Sequence, residues 1–260
     1  MKTKSLSIFL VALFVVEMNL GAEENNKNEE GENFEYEKID EEVPVNEVDL
    51  CLKTILIGNI MVGKSALCEK ICKNTFPEEY SPTVGFEFFN LNFRIASDKK
   101  PVLKYKIWDC CGQEVYRSLV TSFYRNAEVC LLVYDVTNEE SFKNIENWVN
   151  DVKAQKTDEL IHFILIGNKS DLENERKISK EAGNKFAEEN GMKFVEVSAK
   201  TGAGIKELKY ILAKIIYEEF KKDEEKKKEE EKNDKKNSFV NNKKPTSTLC
   251  DCCKKICENC

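Results

Sequence analysis

The stretch "CLKTILIGNIMVGKSALCEKICK" (51–73) restricts the possible folds of this chain more than any other. An apolar run ends in Gly58, four residues separate it from a second glycine followed by lysine and serine, and a helical pattern begins there. G-x4-G-K-S between a strand and a helix is a phosphate-binding loop. Its glycines permit a tight turn with inward-pointing amides, and the helix N-terminus adds partial positive charge. On that reading Ile60, Met61, Val62, Gly63, Lys64, Ser65 and Ala66 wrap a chain of phosphates. Lys64 pairs with the β- and γ-phosphates, and the Ser65 hydroxyl is directed at Mg²⁺.

The rest of the chain fits such a loop. Apolar runs at 51–58, 86–95, 105–109, 129–136, 162–167 and 193–198 read as strands, and all but 86–95 are continuous enough to be buried on both faces. Helical patterns fill 64–73, 141–153, 179–190 and 205–220. Strand alternating with helix predicts an α/β domain with a six-stranded, mostly parallel sheet and helices on both faces. "FEFFNLNFRI" (86–95) turns through "ASDKKP" into the next strand, which predicts one antiparallel edge strand. Glu128 and Asp135 flank a buried strand and read as capping and loop contacts.

Two further segments select the base. "NKSD" (168–171) and "SAK" (198–200) each close a strand on the same side of the predicted sheet, where ligands of such sheets bind. The Asp171 carboxylate can accept hydrogen bonds from N1–H and the 2-amino group of guanine, a pair that adenine does not offer. The Lys169 stem can cover the ring face, Asn168 can brace the loops, and the Ala199 amide between Ser198 and Lys200 can donate to O6. The pattern therefore specifies GTP and GDP rather than adenine nucleotides.

From about 51 to 220 the chain resembles a small GTPase of the Ras superfamily, and within it the Rab family. "FPEEYSPTVGFEF" (76–88) resembles the first switch segment of that family, and "WDCCGQE" (108–114) the second. The resemblance implies that Phe76 and Tyr80 lie against the nucleotide and that Thr83 joins Ser65 in binding Mg²⁺. It also implies that Asp109 holds the metal, that Gly112 senses the γ-phosphate, and that Gln113 orients the attacking water beside Lys64. Phe88, Trp108 and Phe123 would form the aromatic triad read by effector proteins. It further implies a monomeric switch, served by an exchange factor and a GTPase-activating protein, on the cytoplasmic face of an endomembrane. Ile60 and Met61 depart from the family's small or polar residues and would crowd an activating arginine. Cys110 and Cys111 replace threonine and alanine, as inert thiols if buried and oxidisable ones if exposed.

Charge and cysteine set apart the two ends. Twelve acids against Lys27 and Lys38 give 23–49 a charge of −10, whereas the whole chain carries −7. Poor in large apolar residues, that extension reads as disordered. The remainder shows no basic stripe interleaved with aromatics, so nucleic acid is not an expected partner. Residues 1–22 resemble an export signal, an alternative that would place the protein in the secretory route or a lumen. Residues 50–220 form the expected GTPase domain, and 221–260 a charged, flexible tail ending in "CDCCKKICENC", whose mixed-charge block reads as a prolongation of the last helix through Glu and Lys pairs that frays into the tail. Cys257, Cys260, Cys252 and Cys253 are the lipidation candidates that would attach the tail to a membrane. Cys250, Cys253, Cys257 and Cys260 offer the alternative spacing of a zinc site.

Overall fold

A computed structural model describes residues 34–39, 43–79, 83, 85–111, 123–155 and 161–241, the last stretch by backbone alone beyond 232. In chain order the elements are β1 (Tyr36–Ile39), β2 (Leu50–Ile57), α1 (Lys64–Lys73), β3 (Phe86–Ile95), β4 (Val102–Cys110) and β5 (Val129–Asp135). They continue with α2 (Glu139–Lys143), α3 (Ile145–Ala154), β6 (His162–Asn168), α4 (Lys180–Glu189), β7 (Lys193–Glu196) and α5 (Ile205–Asn241). The sheet runs β1-β3-β4-β2-β5-β6-β7. Its pairs are parallel except β1 with β3 and β3 with β4.

Continuous apolar runs did become doubly covered strands. All seven residues of β5 are buried, and so are the last four of β2. One face packs Ile55, Leu132, Tyr134 and Leu165 against Ile145, Trp148, Val149 and Val152 of α3. On the other, Leu67 and Ile71 of α1 and Leu208 and Leu212 of α5 are fully buried, and Tyr105 of β4 donates to the Leu212 carbonyl at 2.7 Å. β2 lies between β4 and β5, so the strand order reverses at its C-terminal end. That is where an open α/β sheet binds its ligand.

The fold class is as expected, but the sheet has seven strands rather than six among the described residues. The strand at 86–95 is therefore not the edge. Tyr36–Ile39, within the extension read as disordered, pairs with it from Tyr36↔Ile95 to Ile39↔Asn92. Averaging over an acidic stretch hid a local pattern of period two. Tyr36 and Lys38 are half-buried while Glu37 is exposed, within 3.5 Å of Arg94. Phe34 adds rings 5.8 Å from Tyr210 and 5.5 Å from Tyr217.

The chain divides at Tyr217 and Glu218 into two compact units. The first holds the sheet. In the second, the mixed-charge block is helical through Asn241, with Glu219–Lys222 and Asp223–Lys227 ion pairs of 2.7 Å at helical spacing. The last helix thus continues into the charged segment, as the Glu and Lys pairing of that block allows. The signal-like segment 1–22, Tyr80, Gly112, Gln113 and the cysteines from 250 to 260 lie outside the described residues. Among the described residues no helix is long and apolar enough to cross a membrane.

Candidate nucleotide site

The loop between β2 and α1 is shaped by residues that allow positive φ. Gly58 has φ 148°, and a Cβ there would lie 2.1 Å from the Val133 carbonyl oxygen, so only glycine lets the loop leave the sheet this close to β5. Gly63, with φ 89°, precedes α1. Met61 takes φ 63° at the loop tip. Lys64 folds back from the first turn of α1, its Nζ donating to Gly58 O at 2.9 Å and Asn59 O at 2.8 Å. Burial lowers its pKa to about 8 against an opposing pull from Asp109. A buried ammonium held by carbonyls at a helix N-terminus is a site for anions.

Three oxygens meet beside it. Ser65 Oγ donates to Asp109 Oδ2, and 2.8 Å separates it from Thr83 Oγ1. Because the single Ser65 proton goes to the carboxylate, Thr83 is the donor in the second bond. Burial raises Asp109 to about 6, with the Ser65 bond pulling the other way. Asp109 Oδ1 is buried with no hydrogen-bond partner among the described residues. Two hydroxyls and a carboxylate with an unsatisfied oxygen form a hard donor set, which suits Mg²⁺.

Asn168, at the end of β6, joins the loops. Its Nδ2 donates to Val62 O at 2.8 Å, and its Oδ1 accepts from the Ala199 amide at 3.1 Å. Gly63 must lack a Cβ here too, since one would lie 2.5 Å from Asn168 Nδ2. Ser198 Oγ donates to Asp171 Oδ1 at 2.6 Å and accepts from the Thr201 amide at 3.0 Å. Asp171 and Lys200 are exposed, and Lys169 is half-buried. Ile60, Met61 and Phe76 are exposed large apolar groups, whereas Val62 is buried.

Phe88, Trp108 and Phe123 lie together, with Phe88 and Trp108 centroids 3.8 Å apart and Trp108 and Phe123 5.1 Å apart. Phe86 is a fourth member, 4.5 Å from Phe123 and 42% exposed. Its place two residues before Phe88, on one face of a strand, was the signal for it. Cys110 and Cys111 are buried, and burial raises the Cys110 thiol to about 12, so the inert alternative fits. Two contacts were not read from the sequence. Trp148 Nε1 donates to Asn59 Oδ1 at 2.9 Å, and Asp135 pairs with Lys169.

A nucleotide loop at the sheet's switch point, a hard-oxygen cluster beside it and an Asn-Lys-x-Asp segment facing it define a small GTPase. The model of the Ras family matches residues 53–218, and the chain belongs to that family. Within it the chain is of Rab type. It is 37% identical to human Ras-related protein Rab-8B over 174 residues, which are 67% of this chain and 82% of that protein. Mouse Ras-related protein Rab-39A is 38% identical over 65% of this chain and 79% of its own length. GTP-binding protein YPT52 of Saccharomyces cerevisiae is 37% identical, over 67% and 85%. Membership carries the family's general reaction, GTP hydrolysis, and its general role as a GTP-dependent switch in membrane traffic.

Proposed function

We propose that this chain binds GTP and Mg²⁺ at the β2–α1 loop, hydrolyses GTP slowly, and recruits effectors in its GTP state at a cytosolic membrane surface. The observation that carries the reading is the oxygen cluster of half-buried Ser65 and Thr83 with buried Asp109 next to Lys64, Asp109 Oδ1 being unsatisfied among the described residues. Bound there, Mg²⁺ supplies charge neutralisation for the β- and γ-phosphates. Lys64 shares that task, and the loop amides up to Ala66 orient the phosphates. Thr83 and Gly112 report the γ-phosphate, and Gln113 orients water for the attack. Asp171 reads the guanine edge, Ser198 holds Asp171, the Ala199 amide faces O6, and Lys169, Lys200, Phe76 and Tyr80 border the nucleotide.

Hydrolysis relaxes the segments around Thr83 and Gly112, which ends effector binding at Phe88, Trp108 and Phe123. Ile60 and Met61, 46% and 64% exposed at the loop tip, stand where an activating protein inserts an arginine. Such an arginine supplies on the order of 10³ to 10⁵ in rate, so crowding it keeps the GTP state long-lived. Lipid on Cys252, Cys253, Cys257 or Cys260 would hold the switch on its membrane.

Ser65→Asn is expected to lower Mg²⁺-dependent GTP affinity more than tenfold, measured by equilibrium binding with and without chelator. Gln113→Leu should slow single-turnover hydrolysis while leaving GTP affinity within twofold. Unchanged affinity and metal dependence in Ser65→Asn would overturn the site assignment.

A further inference from the structure

Asp135 ends β5 in register with Asn168 of β6, and it is 6% exposed. A carboxylate at the end of a fully buried strand must be satisfied locally. Its two oxygens have different partners. Oδ1 accepts from the Thr137 amide at 2.8 Å and from the Thr137 hydroxyl at 2.7 Å, while the Asp135 amide donates to Ser141 Oγ at 3.0 Å. Oδ2 meets Lys169 Nζ at 2.7 Å. The residue's own turn therefore fixes the carboxylate and presents the second oxygen at a set point.

Lys169 is held at its other end by the backbone. It takes φ 65°, a conformation uncommon outside glycine and asparagine. The flanking turn is closed by Leu172 N to Lys169 O at 3.0 Å and Ser170 N to Val197 O at 3.1 Å. With Cα and Nζ both tied, the four methylenes between them lose most of their rotamer freedom before any ligand arrives. A stem ordered in advance forms a stationary apolar strip.

We propose that Asp135 is a positioning residue for the guanine base: by holding Lys169 Nζ, it keeps the lysine stem where it covers the ring, and so sets how long the nucleotide stays bound. The inference rests on the reading that Lys169 and Asp171 border guanine. It goes beyond the capping role expected of Asp135, because capping engages only Oδ1.

Asp135→Asn tests it, since the amide oxygen still accepts from Thr137 while the charge facing Lys169 is lost. Release of a fluorescent GDP analogue from the full chain in Mg²⁺ is followed by stopped flow for Asp135→Asn, Lys169→Ala, the double variant and Asp171→Asn. Asp135→Asn is expected to release GDP about tenfold faster, the low end of the scale for losing a hydrogen bond to a charged group. The double variant should be no faster than Lys169→Ala alone, and the fold-acceleration by a Mg²⁺ chelator should match that of the unsubstituted chain. A purely structural role predicts otherwise, because fold weakening would multiply with loss of the lysine. Release within twofold of the unsubstituted rate, or multiplying effects in the double variant, overturns the proposal. If Asp171→Asn also leaves GDP release unchanged, the guanine reading itself fails; if only Asp135→Asn does, this proposal alone fails.

Discussion

A methyl group on Gly58 would overlap the Val133 carbonyl oxygen at 2.1 Å, with backbone rather than a flexible side chain as the obstacle. The first glycine of the phosphate loop is thus needed for packing against β5 as well as for any contact with phosphate. Gly58→Ala should accordingly destabilise the protein before ligand is considered, by about 2 to 4 kcal/mol, the range for overpacking combined with an unfavourable φ. Urea unfolding without nucleotide checks this, the midpoint falling at an unchanged m-value. Loss of GTP binding at full stability would mean that the glycine serves the ligand only. Lys64 and Asp109 differ in kind: both are buried, and burial moves each pKa toward its neutral form. Buried groups perturbed in this way are characteristic of functional sites, which supports the ligand roles proposed for both.

At the scale of elements, β1 is the clearest departure from the family. It lies outside residues 53–218, which the Ras family model matches, yet it closes the sheet edge beside Phe93 and Tyr210. Tyr36 stands 5.4 Å from Phe93 and 6.4 Å from Tyr210, centroid to centroid. A strand of four residues depends on such packing. Tyr36→Ala is expected to free β1 locally and cut amide exchange protection at Asn92–Ile95 about tenfold or more, with β5 unaffected. Equal loss across both strands would show that β1 unfolds only with the whole domain. The elements that were legible carry their own signal, as with the buried runs of β5 and β6 and the 64–73 helix after its glycine. Where context overrode pattern, reading failed. The helix expected at 141–153 starts two residues earlier, where Asn138 caps α2 by accepting from the Glu140 and Ser141 amides, and is interrupted only at Asn144, across which the helical bonds from Asn144 N to Glu140 O and from Trp148 N to Asn144 O continue. β1 was lost in acidic composition, whereas the prolongation of α5 was legible in the Glu and Lys pairs of its charged block. In the site, motif residues were legible because phosphate and guanine chemistry fix their type. Asp135, Asn59 and Trp148 were not, since a partner 34 or 89 positions away leaves no local trace.

Across the sheet-bearing unit, Asn168 ties the two halves of the nucleotide site. One amide side chain bonds Val62 O in the phosphate loop and the Ala199 amide in the loop proposed to face the base, residues 106 and 31 positions away. A ligand that touches both loops therefore binds a frame already ordered by Asn168, and part of its stabilising effect on folding passes through that side chain. GDP with Mg²⁺ at a thousand times its Kd should stabilise the folded state by about 4 kcal/mol, raising the melting temperature roughly 8 to 16 °C for a domain of this size. Asn168→Ala removes these bonds and a longer one to the Gly63 carbonyl at 3.5 Å, leaving the Val62 carbonyl and Ala199 amide without these partners, so the unliganded protein should melt several degrees lower. The decisive quantity is the difference between the shifts. If Asn168 only props up the fold, unliganded and liganded proteins fall together and the nucleotide-induced shift at a fixed nucleotide concentration is unchanged. If it couples the loops, the shift itself shrinks, because the ligand must now order both loops at its own expense. Differential scanning calorimetry with and without GDP and Mg²⁺ separates the two, and the expected result is a nucleotide-induced shift at least a third smaller in the variant, corresponding to about 1.4 kcal/mol, or a tenfold loss in affinity.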